Sequence, residues 1–153
     1  MYSFLAGVIG GIVATALMTL TEIPFWKKWV LHGVFEWHEN QVLSEKFFHI
    51  YEKIDFRGIF VFHFVNGALA GLAFPFIITL LNTLFVTVID TFLVAIIYGF
   101  MLWIVTLVPI HKPITGYPIW NHPLGRSPAL ASLGGHIVYG LLLGLVMITL
   151  TGG

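Results

Sequence analysis

The chain has 153 residues, of which 58% are hydrophobic and 9% are charged, whereas an ordinary soluble domain has about a quarter charged residues. A soluble monomer of this length needs a largely polar exterior, so the composition predicts an integral membrane protein in contact with the lipid bilayer. Seven basic residues balance seven acidic ones, which argues against nucleic-acid binding, and the absence of cysteine excludes disulfides, thiolate catalysis and iron–sulfur clusters.

Four stretches of the chain are long and apolar enough to cross about 30 Å of hydrocarbon, which takes roughly 20 helical residues. They comprise residues 2–23, 59–81, 85–108 and 129–150. The first stretch lacks the basic region and cleavage site of a secretory signal, so we expect a retained helix. We therefore predict an all-α membrane protein in which residues 1–153 form a single domain of four transmembrane helices.

The loop after the first stretch contains a second kind of helical pattern. Leu43, Phe47, Ile50 and Ile54 recur at helical spacing, and the charged residues lie away from that stripe. Three tryptophans lie just upstream. These features predict an amphipathic helix over residues 41–54 that lies in the membrane interface, with a partner-binding helix as the alternative.

The remaining connections differ in length. Asn82, Thr83 and Leu84 alone separate the second and third stretches, so these helices should be antiparallel neighbours. The segment before the last stretch contains prolines at positions 109, 113, 118, 123 and 128. Each proline removes a backbone donor and restricts its predecessor, so we expect the third helix to end at Pro109 and a non-helical cap to follow.

Charged residues predict the orientation in the cell membrane. All seven lysines and arginines lie in the two long loops, five in the first and two in the second. The positive-inside rule therefore places both loops in the cytoplasm and both termini outside. Asp90, near the outer start of the third helix, is expected to cap that helix, with a proton-relay role as the weaker alternative.

Two patterns recur in the two halves of the sequence. The pattern H-x-V-x-G-x-L-x-G begins at His63 and again at His136, and T-x-x-P-x-x-K begins at Thr21 and again at Thr106. Such self-similarity predicts a 2+2 internal repeat, in which two helical hairpins of the same orientation pack around an axis along the membrane normal.

Three glycine pairs lie four residues apart and therefore on one helical face each. The pairs are Gly7 with Gly11, Gly67 with Gly71, and Gly140 with Gly144. Small residues at this spacing allow helix backbones to approach closely in lipid. We expect these faces to pack within the chain's own bundle, or against other membrane subunits or a second copy of the chain.

His63 and His136 are the leading candidates for a functional site. Each lies inside a predicted span, where an ionisable side chain needs a partner or a cavity, and the repeat could bring both to one ligand. Imidazole and carboxylate groups expected toward the same membrane face suggest a transition-metal site. The predicted ligands are His38, His63, His122, His136, Glu22 and Glu39.

Three alternatives to the metal site remain open. Haem b between His63 and His136 is less expected, because close glycine packing leaves little room for a porphyrin. The histidines could instead be neutral and hydrogen-bonded, or they could line a polar, water-filled pathway.

The sequence contains no hydrolase or phosphate-binding motif that would indicate a stand-alone enzyme. The leading hypothesis is a small subunit of a larger membrane complex, for example an energy-converting one, whose quasi-symmetric histidines hold a metal or haem near the cytoplasmic face. A homo-oligomeric transporter or channel, with a polar path through Asn66, Tyr139 and Asp90, is the first alternative. A purely structural accessory subunit is the second.

Overall fold

A computed structural model describes residues 3–30, 34–52, 55–85, 90–115 and 118–152, with some side chains inside these ranges, those of His38 and Glu39 among them, left undescribed. Every regular element in the described ranges is helical. The α-helices are α1 (Phe4–Trp29), α2 (Phe35–Phe47), α3 (Phe56–Phe85), α4 (Thr91–Thr115) and α5 (Ser127–Thr151). A short 3-10 turn, Ile119–Asn121, precedes α5.

Apolar helices dominate the described part of the chain. By length and composition α1, α3 and α5 can each cross a membrane, and α4 contributes a shorter apolar helix, Thr91–Leu107. Large apolar side chains are exposed on the outer faces of these helices; examples are Leu5, Val61, Leu69, Leu80 and Val105. The expectation of an all-helical protein whose apolar helices can contact lipid is therefore confirmed.

The connection between α3 and α4 lies later in the chain than the sequence indicated. Asn82, Thr83 and Leu84 belong to α3, so the prediction that they form the turn was wrong. The Thr83 hydroxyl donates to the carbonyl oxygen of Thr79 at 2.8 Å, which satisfies this polar side chain inside the helix. Asp90 caps α4 as predicted, because its Oδ1 accepts from the Leu93 N–H at 2.9 Å.

Proline ends fewer helices here than the sequence analysis assumed. The prediction that α4 stops at Pro109 was wrong, since α4 continues to Thr115, and α1 and α3 likewise contain Pro24 and Pro75. Membrane helices tolerate proline because neighbouring groups can satisfy the backbone oxygen that it frees. Pro128 lies in the first turn of α5, where a missing N–H costs nothing.

Helix α2 differs from the predicted amphipathic helix in both its bounds and its buried face. The helix ends at Phe47, and Ile50 is exposed beyond it, while Ile54 lies outside the described residues. Its buried residues include the polar side chains of Glu36, Asn40, Gln41 and Ser44, together with the aromatic rings of Phe35 and Trp37. The prediction of a helix over residues 41–54 that lies in the membrane interface was therefore wrong in its bounds, and α2 instead packs against α3, α4 and α5.

The glycine pairs form close contacts within the chain. Helix α1 packs closely against α3 and α5, and α5 also packs closely against α4. A Cβ added at Gly7 would meet the Gly71 carbonyl oxygen, and one added at Gly140 would meet that of Ala95. Gly11, Gly67 and Gly144 face neighbouring helices in the same way. These six glycines therefore pack within the chain's own bundle.

The two ends of the bundle have different interiors. Towards the start of α1, the core is an apolar cluster in which Phe74, Ile78, Leu143 and Met147 are each 0% exposed. Towards the other end, α3 and α4 have few contacts with each other, and α2 lies against both. The Tyr98 hydroxyl donates to the Ala70 carbonyl oxygen at 2.8 Å and joins α3 to α4 between these two regions.

Candidate functional site

A cavity with both polar and apolar side chains in its wall lies between α3 and α4, and all five α-helices contribute residues to it. The volume of this cavity is about 70 Å³. A single water needs roughly 10–15 Å³ on this measure, so the cavity has room for several waters or one small solute. Lining residues from α3 and α4, such as Asn66 and Thr106, are partly exposed, so this edge of the cavity is not sealed.

His63 and His136, the two histidines singled out by the repeat, both line this cavity. His63 is 8% exposed and its ring packs edge-on against Trp26, with ring centres 5.6 Å apart. Its Nε2 is buried and has no hydrogen-bond partner among the described residues. An unsatisfied polar atom of this kind is costly, so its position beside a cavity points to an occupant.

His136 is held in one orientation by its own helix. Its Nδ1 lies 2.8 Å from the carbonyl oxygen of Ser132. A carbonyl oxygen only accepts hydrogen bonds, so Nδ1 carries the hydrogen and Nε2 of the neutral ring has a free lone pair. The two imidazoles are close enough to interact electrostatically.

Asparagines connect α2 to α3 at the cavity wall. The Asn66 amide donates to Asn40 Oδ1 at 3.2 Å, and the Asn40 amide donates to the Ile59 carbonyl oxygen at 3.1 Å. Asn40 is 1% exposed, so these bonds are shielded from solvent. Paired buried amides of this kind fix the position of α2 across the cavity.

Glu36 is a cavity residue that the sequence analysis missed. It is buried on α2, and its Oε1 accepts a hydrogen bond from the Ser132 hydroxyl at 3.1 Å. Burial raises the pKa of the Glu36 carboxyl above its usual value. Glu36, Asn40 and Ser44 lie four residues apart, and this polar stripe at helical spacing could have identified it.

Other predicted site residues lie elsewhere. Glu22 lines a smaller neighbouring cavity, of about 10 Å³ on the same measure, which it shares with Glu36. His122 packs edge-on against Phe35 with ring centres 5.7 Å apart, and its Nδ1 accepts from the Leu124 N–H at 3.1 Å. Burial lowers the pKa of the His122 imidazole. Neither residue lines the cavity between α3 and α4.

The described residues do not assemble the predicted metal site. Among them, no three His, Asp or Glu side chains lie together as ligands for a metal ion. The side chains of His38 and Glu39 lie outside the description, so their predicted role stays a prediction. A porphyrin does not fit, because the cavity of about 70 Å³ is far below the roughly 300–1,000 Å³ of pockets for drug-sized ligands.

Replacing Glu36 by Gln is expected to stabilise the protein at alkaline pH and to change it little at acidic pH. Because the folded-state pKa of Glu36 is raised, the folded protein binds this proton more tightly than the unfolded chain does. The resulting stabilisation is complete below the unfolded-state pKa and is lost as pH rises through the folded-state pKa. Gln keeps an acceptor for Ser132 but cannot ionise.

Thermal unfolding in detergent across a pH series measures this effect. Glu52→Gln is the matched control, because Glu52 is exposed. Parallel pH profiles for the wild type and Glu36→Gln would show that Glu36 does not titrate as a buried group.

No protein-family model matches the chain, and neither a curated protein nor a solved structure has significant similarity to it.

Proposed function

We propose that the protein is a four-span membrane protein, built from two like-oriented hairpins, that transports a small polar species or ion through the cavity between α3 and α4. The observation that carries this proposal is the pair of imidazoles in one cavity with room for several waters, to which every described α-helix contributes. Ionisable side chains inside a membrane are costly and are usually kept for a pathway or a ligand.

The hairpin repeat is supported by equivalent helix contacts. Aligning the two halves on their shared proline and histidine matches the close approaches of α1 with α3 to those of α4 with α5. The matched pairs are Gly11–Gly67 with Ile96–Gly140, and Gly7–Gly71 with Phe92–Gly144. A duplicated hairpin explains why the same turn of each helix makes the closest contact.

The cavity arises where the repeat is unequal. The close packing of α1 on α5 has the contact of α4 on α3 as its counterpart under the symmetry, and that second contact is loose. Asn66 and Tyr139 occupy equivalent positions and both line the gap. The interface between α1 and α5 is closely packed, whereas the equivalent interface between α3 and α4 leaves an open space.

The proposed orientation places the cavity nearer the cytoplasm. Basic residues lie at this end of the bundle, and Lys27, Lys28 and Arg126 are exposed there. The positive-inside rule assigns such an end to the cytoplasm. At the other end the apolar cluster around Phe74 and Met147 closes the bundle, so we expect the cavity to be reached through its partly exposed edge between α3 and α4, in the half of the bundle that carries the basic residues.

Electrical recording tests the transport proposal. Proteoliposomes on a solid-supported membrane would be given concentration jumps of sodium, potassium and ammonium chloride. We expect at least one cation to produce a current, and His63→Ala and His136→Ala to abolish it. His122→Ala is the matched control, because that histidine lies outside the cavity. The absence of current for every cation with wild-type protein would contradict transport of these ions.

A role as a subunit of a larger complex remains a second proposal, together with a metal held by His63 and His136. Its support is the presence of two imidazoles in one cavity, one of them with an unpartnered Nε2. Native purification, mass measurement and elemental analysis would test both parts. A metal-free, lone copy of the chain would contradict this role.

A further inference from the structure

The cavity presents hydrogen-bond acceptors because its hydroxyl groups donate to the backbone. Thr15 donates to the Gly11 carbonyl oxygen at 2.7 Å, and Thr106 donates to that of Leu102 at 2.8 Å. Tyr139 donates to the Gly67 carbonyl oxygen at 2.7 Å. A hydroxyl has one hydrogen, so each of these three oxygens has only lone pairs left for an occupant of the cavity.

The nitrogen-bearing side chains continue this pattern. His136 uses its Nδ1 hydrogen on Ser132, which leaves the Nε2 lone pair. One hydrogen of the Asn66 amide nitrogen is donated to Asn40 Oδ1, so the Asn66 side chain keeps its second amide hydrogen and its carbonyl oxygen acceptor. His63 adds a buried Nε2 without a partner among the described residues, and this nitrogen is an acceptor when Nδ1 carries the ring hydrogen. The two helices of each hairpin thus contribute acceptors to the same small space.

The ionisable side chains of the cavity wall favour a cation over an anion. Glu36 is acidic, and no Lys or Arg is among the described residues that line the cavity. A positive occupant within reach of Glu36 would favour its ionised form and so compensate the cost of burying that charge. An anion would meet lone pairs and a carboxyl group, which repel it.

We infer that the cavity between α3 and α4 binds ammonium, a water-sized cation that only donates hydrogen bonds. The biological role of this site rests on the proposed transport function, but the binding of ammonium can be measured without transport. Four N–H donors match the oxygen and imidazole nitrogen acceptors described above. Hard metal cations prefer shells of oxygen alone, so the imidazole nitrogens favour ammonium over potassium.

Isothermal titration calorimetry of the purified full chain in detergent tests this inference. The probes are ammonium chloride, potassium chloride and tetramethylammonium chloride at neutral pH and equal ionic strength. Tetramethylammonium has the same charge but no N–H donor. We expect saturable binding of ammonium alone. Equally tight binding of potassium or tetramethylammonium, or no binding of ammonium, would overturn the inference.

Variants assign the binding to this cavity. Thr106→Val removes one acceptor and should weaken ammonium binding roughly tenfold, as expected for a lost hydrogen bond to a charged group. Thr79→Val is the matched control, because the Thr79 hydroxyl makes the same kind of bond, to the Pro75 carbonyl oxygen at 2.7 Å, outside the cavity. Equal affinities for these two variants would place the ammonium elsewhere.

The binding and current experiments can fail separately. Ammonium binding without current would remove the transport proposal and leave the binding site. Current without ammonium binding would retain transport and overturn the ammonium site.

Discussion

Replacing Gly71 by Leu is expected to destabilise the protein by roughly 1–3 kcal/mol or more, the range for overpacking a well-filled contact. A Cβ at Gly71 would meet the carbonyl oxygen of Gly7 and the backbone of Gly11. These atoms belong to the α1 backbone and cannot rotate away, so the two helices must separate. Separation would also expose the neighbouring contact between Gly11 and Gly67.

Unfolding of detergent-solubilised protein, followed by circular dichroism, measures this loss. Gly134→Leu is the matched control, because a Cβ at Gly134 has no neighbouring atom within 4 Å. Both substitutions replace a helical glycine by the same good helix former, so their intrinsic helix propensities change alike. If both variants unfold at the same temperature, close packing of α1 on α3 is not what stabilises the bundle.

The parts of the fold that depend on composition and spacing could be predicted from the sequence. Long apolar stretches indicated helices that can contact lipid, because the bilayer permits few other solutions for the backbone. Glycines four residues apart indicated close helix contacts, which the structure contains within the chain. Asp90 was recognised as a helix cap because its chemistry acts within one turn.

The errors arose where tertiary packing overrides local pattern. Helix α4 continues past Pro109 although the local sequence favours a stop there. The helix over residues 41–54 was predicted to lie in the membrane interface, yet α2 ends at Phe47 and buries Asn40 and Gln41 against the bundle. The polar side chains of α2 are buried because they find hydrogen-bond partners on the other helices, as Asn40 does with Asn66 and Glu36 does with Ser132.

The sequence predicted the two histidines of the candidate site, but it did not predict the other residues that line the cavity. The repeat singled out His63 and His136, which line one cavity. Glu36 was overlooked because its contacts with Ser132 join residues far apart in sequence. No sequence pattern indicated that α3 and α4 have few contacts with each other while α1 and α5 pack closely, because this difference depends on tertiary packing.

Thiol accessibility is expected to differ completely between the two ends of the bundle. Thr106 lines the polar cavity and is partly exposed, whereas Met147 is 0% exposed within the apolar cluster. A cysteine at Thr106 should therefore react with a small cationic reagent, which the acceptor-rich wall admits. A cysteine at Met147 should not react, because an apolar cavity-free core excludes a hydrated cation.

The chain is well suited to this measurement because it contains no native cysteine. Each single-cysteine variant would be treated with 2-aminoethyl methanethiosulfonate in sealed vesicles of known orientation, with free cysteine on the opposite side as scavenger. Lys28→Cys, at an exposed position, is the positive control for the side that carries the basic loops.

The central claim is that the cavity between α3 and α4 is reached from the side of the bundle that carries the basic residues and is closed towards the other side. It predicts that Thr106→Cys reacts from the same side as Lys28→Cys and from no other, and that Met147→Cys reacts from neither. Labelling of Thr106→Cys from the opposite side only, or of Met147→Cys from any side, would contradict it.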